Sequence, residues 1–113
     1  MIETLLIDYL SEHLDEVFVG MEAPEQTTGY VIVDKTGSSR SNHVITSSFA
    51  IQSYGATLYD ALLLNRRVED VMAGLIELDE IARVELETDY NFTNTATKQY
   101  RWQAVYSITH YQL

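Results

Sequence analysis

The order in which hydrophobic periodicity changes along this chain constrains its fold more than any single residue does. A three- and four-residue repeat comes first, three strand-like segments follow, a second helical repeat succeeds them, and two alternating segments close the series. A helix with one apolar stripe and strands with one apolar face must bury them against each other. The order α-β-β-β-α-β-β therefore predicts an α+β fold, a mostly antiparallel sheet with two helices packed on one face. A chain of 113 residues can bury one core of this kind, so residues 1–113 read as a single domain.

Ile2, Leu5, Leu6, Tyr9, Leu10 and Leu14 share one stripe, which predicts a helix ending near Leu14 that lids the sheet. Val17–Val19 is a short apolar run, and Gly20–Gly29, with Pro24, reads as a loop. Gly29–Lys35 is β-branched and reads as a strand, with Gly37–Asn42 (GSSRSN) as the polar turn of a hairpin. His43–Tyr54 is its second strand, placing Ile45, Phe49 and Ile51 on one side and Thr46, Ser48 and Gln52 on a solvated side. Gly55 breaks the strand, and Thr57, three residues before Asp60, predicts a helix start. Leu58, Ala61, Leu62, Val68, Val71, Met72, Leu75 and Ile76 then form the buried stripe of a helix reaching about Glu77. Beyond it, Ala82, Val84, Leu86, Tyr90 and Phe92 alternate against Arg83, Glu85, Glu87, Asp89 and Asn91. A polar turn at Thr93–Gln99 leads into Tyr100–Tyr111, where Trp102, Ala104, Tyr106 and Ile108 alternate against Arg101, Gln103, Ser107 and Thr109. These last two segments are expected to pair antiparallel.

Charge narrows the function classes. The formal net charge is −10, and the seven basic residues are dispersed apart from Arg66 and Arg67, so direct reading of nucleic acid and attraction to an anionic membrane are both disfavoured. The absence of cysteine fits folding in a reducing compartment without disulfides or thiolate metal sites. Met1–Leu14 carries Glu3, Asp8 and Glu12 and has neither a basic start nor a continuous apolar run, so it reads as neither signal peptide nor membrane span.

Catalytic vocabulary is sparse. His13, His43 and His110 lie far apart and share no helical metal-ligand spacing, and no nucleophile elbow, phosphate loop or dinucleotide glycine pattern occurs. The expectation is a protein that is not an enzyme and carries no metal or cofactor. Eight tyrosines are more suggestive, because each joins a large apolar ring to a polar tip, which suits protein interfaces as well as strands. Tyr54, Tyr90, Tyr100 and Tyr111 fall near the expected strand ends, where a ring could reach a neighbouring subunit.

Several stretches together resemble the small tail-terminator, or tail-completion, proteins of long-tailed bacteriophages and prophages. They are the first helix ending near Leu14, the run Gly29-Tyr-Val-Ile-Val-Asp with its polar turn, and Phe49-Ala-Ile-Gln-Ser-Tyr-Gly-Ala-Thr leading into Tyr59-Asp-Ala. The helix reading Arg67-Val-Glu-Asp-Val-Met and the strand pair containing Asp89-Tyr90-Asn91 and Tyr100-Arg101-Trp102-Gln103 complete the resemblance. It implies a protein made in a bacterial host cytoplasm that forms a homo-hexameric ring at the tail-neck junction of a virion. Such a ring caps the head-proximal end of the tail tube, stops its polymerisation, and offers a surface to the neck or head-completion protein. Genome DNA would pass through without specific binding, and no membrane is involved. On this resemblance Glu85, Glu87 and Asp89 are candidates for a lumen or inter-ring surface, and Tyr54, Arg66, Arg67, Arg83, Tyr90, Tyr100 and Arg101 for the seam between subunits. Rival readings are a head-completion or stopper protein of the same neck, a small-ligand-binding α+β domain with its cleft on the sheet opposite the helices, and an enzyme using dispersed carboxylates.

Overall fold

A computed structural model of the chain describes residues 1–25 and 29–111. The first helix, α1 (Ile2–His13), buries Ile2, Leu6 and Leu10 at a strict four-residue spacing, and Leu14 continues the row as the chain leaves the helix. The strands are β1 (Phe18–Gly20), β2 (Tyr30–Ser41), β3 (Val44–Gly55), β4 (Ile81–Asn91) and β5 (Tyr100–Tyr111). The second helix, α2 (Leu58–Met72), lies between β3 and β4. They form one five-stranded sheet in the order β1-β2-β3-β5-β4. Only β1 and β2 run parallel; β2 with β3, β3 with β5 and β4 with β5 are all antiparallel. The fold is α+β with the expected order of elements.

Both helices cover the same face. On it, Val31 and Val33 from β2, Phe49 and Ile51 from β3, and Ala104, Tyr106 and Ile108 from β5 meet Leu6 and Leu10 of α1 and Leu64, Val68 and Met72 of α2 in one cluster. Each large side chain so buried contributes roughly 1.5–3 kcal/mol. A hydrogen bond ties the helices together: the Tyr9 hydroxyl donates to the Val71 carbonyl at 2.9 Å, satisfying an acceptor in the last turn of α2.

Thr57 begins α2 as expected, its hydroxyl oxygen accepting the Asp60 amide at 3.1 Å. The end of α2 differs. The helix stops at Met72, and a separate 3-10 turn at Leu75–Glu77 follows Gly74. Its buried stripe consists of Ala61, Leu64, Asn65, Val68 and Met72, whereas Leu58 and Ile76 are exposed. A helix lying on a twisted sheet is covered only along the line where it touches the strands.

The hairpin turn also moves. Gly37–Ser41 is strand, paired with Val44–Ser48, and the reversal is made by Asn42 and His43 alone, at φ 51° and 69°. Two consecutive left-handed residues make the tight turn that matches strand twist, and asparagine tolerates that conformation well. The polar composition of residues 37–42 reflects an exposed strand edge. Of the expected loop at 20–29, residues 26–28 lie outside the described residues.

The alternation expected along residues 82–92 is broken twice. The register of β4 on β5 shifts between Ile81 and Arg83 and again between Leu86 and Thr88. An extra residue in a strand reverses which face every later side chain occupies. Val84 and Leu86 lie opposite Ile108 and Tyr106 on the helical side, but Asp89 now lies opposite Ala104 on that same side, while Tyr90 pairs with Gln103 on the other.

Candidate functional site

The sheet face opposite the helices carries the most organised polar chemistry in the molecule. From β3 it presents Thr46, Ser48, Ala50, Gln52 and Tyr54, and from β5 Arg101, Gln103, Val105, Ser107 and Thr109. Neither of these central strands contains an aspartate or glutamate, although the chain has 17 acidic residues. The carboxylates fall on the helices, on β4 and in the connections, with Asp34 alone on β2.

A directed chain of hydrogen bonds crosses this face. The Arg101 Nη1 donates to the Tyr54 hydroxyl at 3.2 Å, which donates to Gln52 Oε1 at 2.9 Å. Gln52 Nε2 in turn donates to Gln103 Oε1 at 2.8 Å, and Gln103 Nε2 donates to the Tyr90 hydroxyl oxygen. Every link is a side chain whose donor and acceptor are both committed, so the relay fixes rotamers across three strands and each bond polarises the next. Tyr30 stacks on Tyr54 with ring centroids 4.5 Å apart, forming with Ile32 a small second core beneath one end of the face. Burial, and after it the neighbouring Tyr54, raise the pKa of the Tyr30 hydroxyl above its ordinary value, against smaller lowering by Gln99 and Arg101.

Arg101 is the anchor of the relay. Its Nε donates to the Phe92 carbonyl at 2.6 Å, and its guanidinium lies 4.5 Å from the Phe92 ring centroid and 5.9 Å from that of Tyr54. Among the described residues no carboxylate is within ion-pair distance of it. A guanidinium held between two rings with open donors is suited to a carboxylate or carbonyl brought by another molecule.

The structure thus brings together three of the expected seam residues, Tyr54, Tyr90 and Arg101, whereas Tyr100, opposite Gly55, falls on the other side of the sheet by strand alternation. Arg83, opposite Thr109, lies on the same side of the sheet out on β4, whereas the remaining two are elsewhere. Arg66 and Arg67 lie on the exposed side of α2, with Arg67 donating to the Asp15 carbonyl at 3.3 Å. Arg83 pairs with Glu85 at 3.0 Å on β4. The expectation that Glu85, Glu87 and Asp89 share one surface is corrected by the second register shift in β4. Glu85 lies opposite Ser107 on the helix-free side, Glu87 falls within the irregularity, and Asp89 is on the helical side.

There Asp89 enters a site that sequence reasoning missed. Its Oδ1 accepts from Trp102 Nε1 at 2.8 Å, and its carboxyl comes within hydrogen-bonding reach of Glu69 on α2. Glu69 Oε2 also accepts from Asn65 Nδ2 at 2.6 Å, and the Tyr106 ring lies close to both acids. Partial burial raises the Glu69 carboxyl, the Asn65 bond lowers it, and Asp89 and Asp70 raise it further. Tyr106 is also pushed upward, mainly by burial and then by Glu69 and Asp89. Glu69 and Tyr106 line a cleft of about 550 Å³ between α2 and β4, with Met72, Ile76, Val84 and Leu86 as its apolar walls. The only sequence signal was Asn65, a polar residue on an otherwise apolar stripe. Its Oδ1 is buried with no hydrogen-bond partner.

The histidines are dispersed. His13 Nδ1 bonds the Tyr9 carbonyl, His43 makes the hairpin turn, and His110 Nε2 meets the buried Ser47 hydroxyl at 2.9 Å. Among the described residues no three histidine or acidic side chains gather as a metal-holding group, and no helix is long and apolar enough to cross a membrane. No protein-family model matches the chain, and no curated protein matches it significantly.

Proposed function

We propose that this chain is a phage tail terminator: a structural subunit that rings the head-proximal end of a tail tube, stops its growth and offers a docking surface for head-tail joining. The observation that carries this reading is the helix-free sheet face, free of carboxylates along its two central strands in a chain of formal charge −10 and rigidified by the relay from Arg101 to Tyr90. Protein interfaces favour tyrosine and arginine and are depleted of acidic residues at their centres, and the Tyr54, Tyr90 and Arg101 end of this face has that character. Copies with the same strong charge can approach one another, or a tube subunit, most readily where that charge is missing.

In this reading the mechanism is geometric. One side of the ring reproduces the docking surface of the next tube ring, and the other does not, so the template ends. The remaining acidity keeps genome DNA from adhering as it passes, because phosphates gain nothing from a surface without released counterions. The partners are the tube protein below and a neck or head-completion protein above, with the virion tail-neck junction as its place.

The test is tube length. Tube protein polymerised with this chain, viewed by negative-stain microscopy, is expected to give shortened tubes bearing a distinct ring at one end. Gln52→Glu with Gln103→Glu, which places charge at the centre of the face, is expected to restore long bare tubes. Unaltered, uncapped tubes with the wild-type protein would refute the reading. The cleft between α2 and β4 favours a second reading, a small-ligand site, although it lies on the helical side and not on the open sheet face. Binding of a small molecule there without any effect on tubes would move the assignment to that class.

A further inference from the structure

The two edges of the sheet differ in charge, and among the described residues both are largely unpaired. At one side, β1 covers β2 only at Tyr30–Ile32, so among the described residues β2 has no outer partner from Val33 to Ser41. That stretch carries Asp34, Lys35 and Arg40 and is otherwise small and polar from Thr36 to Ser41. Lys35 reaches Glu3 at 3.7 Å, while Arg40 has no carboxylate within ion-pair distance among the described residues. At the other side, β4 has no outer partner strand among the described residues and carries Arg83, Glu85, Glu87 and Asp89.

An unpaired edge offers a row of amides and carbonyls to any strand that can approach. Charged side chains on an edge ordinarily block that approach, and here they block it selectively. Two β4 edges would gather six carboxylates against two arginines, and two β2 edges would bring Arg40 together with its own copy. The unlike pairing sets Arg40 of one copy against the net-acidic β4 edge of another and gathers the least like charge at the seam. Polarity favours the same match. Three successive antiparallel pairings separate β2 from β4, so they run in opposite directions. When two copies meet side by side with their sheets facing the same way, β4 of one lies antiparallel to β2 of the next, which is the stronger ladder.

We propose that the free edge of β2 from Thr36 to Ser41 receives the acidic edge of β4 from a second copy of this chain, as an antiparallel intersubunit strand pair. The contact is head-to-tail, so it leaves one open β2 edge and one open β4 edge at each end of an oligomer until a ring closes. This deepens the ring reading and rests on it. It moves Glu85 and Glu87 to the seam, adds Arg40 there, and leaves the helix-free face available for other proteins.

A charge swap tests the pairing without needing the register. One variant, Glu85→Lys with Glu87→Lys, makes the β4 edge basic; a second, Ser39→Glu with Arg40→Glu, makes the β2 edge acidic. All four positions are exposed, and far-UV circular dichroism checks that each variant folds. Sedimentation at high protein concentration and low salt is expected to show wild-type self-association, with each variant alone weakened about tenfold or more. An equimolar mixture of the two variants is expected to recover association near the wild-type level, because every contact between unlike partners is then complementary. A mixture no better than the separate variants, or a wild-type chain that stays monomeric throughout, overturns the edge pairing. Tube capping is read separately: capped tubes with edge variants unimpaired would sink this proposal and spare the ring reading, whereas restored association without any effect on tubes would do the reverse.

Discussion

Gly55 ends β3 directly against the start of α2, and replacing it with alanine isolates the cost of that close approach. A Cβ there would lie 2.8 Å from the Asp60 carbonyl carbon and 2.9 Å from its Cβ, and closer still to the Ala61 amide nitrogen. Ordinary contact begins near 3.4 Å, so the first turn of α2 must retreat by more than the 0.6 Å (3.4 minus 2.8) that the Asp60 carbonyl carbon alone requires. Ala61 is fully buried, and the Thr57 hydroxyl accepts from the amide of Asp60, so the retreat loosens both packing and cap. Overpacking costs about 1–3 kcal/mol and a lost cap about 1 kcal/mol, which together give roughly 2–4 kcal/mol. For a domain of this size that corresponds to a fall in Tm of about 10 °C. The assay is urea unfolding followed by the emission of Trp102, the single tryptophan, with an unchanged slope confirming that only stability has moved. Gly37→Ala is the control: nothing lies within 4 Å of its added carbon, so it is expected to be neutral or stabilising by about 0.5 kcal/mol. A Gly55→Ala loss below about 0.5 kcal/mol, or equal shifts in the two variants, would refute the steric argument.

Three further outcomes are expected. Glu69 holds its proton in the folded chain at pH values where the unfolded chain has released it, so stability should fall as pH rises above the usual glutamate value of 4.5 and through the higher folded value. Glu69→Gln, which mimics the protonated acid, should flatten that slope in urea midpoints measured from pH 4.5 to 8; a slope that survives the substitution would locate the proton elsewhere. His43→Gly, which relieves a left-handed residue at φ 69° and leaves an Asn-Gly turn, should stabilise the chain by about 0.5–1 kcal/mol in thermal melts. Thr57→Ala should cost about 1 kcal/mol, with Thr57→Ser close to wild type by the same measurement.

Much of this architecture was legible because periodicity and capping are local. The row Ile2, Leu6, Leu10, Leu14 and the Thr57 cap each need only a few neighbouring residues, and both appear as expected. The register shifts in β4 were not legible, since an inserted residue between Leu86 and Thr88 leaves an unbroken strand-like sequence and is decided by the partner strand. That one irregularity sends Asp89 to Glu69 and Tyr90 to the relay, so the carboxyl pair could not have been found from spacing. Gly37–Ser41 misled for another reason: serine and glycine mark turns by composition, but an exposed strand edge accepts them equally. The convergence of Tyr54, Tyr90 and Arg101 follows from the interior position of β5, which chain order alone leaves open.

That position of β5 has a consequence for how the molecule is made. The strand latest in sequence is inserted between two earlier ones, pairing with β3 on one side and β4 on the other. Until it emerges during synthesis, β3 and β4 each expose a raw edge, and Ala104, Tyr106 and Ile108 are missing from the core. Vectorial synthesis therefore cannot commit this domain to its native topology piece by piece, and closure must await β5, through contacts between residues distant in sequence. A nascent chain halted before Tyr100 should be open to strand exchange and sticky to its siblings, while one that includes β5 should lock in a single step.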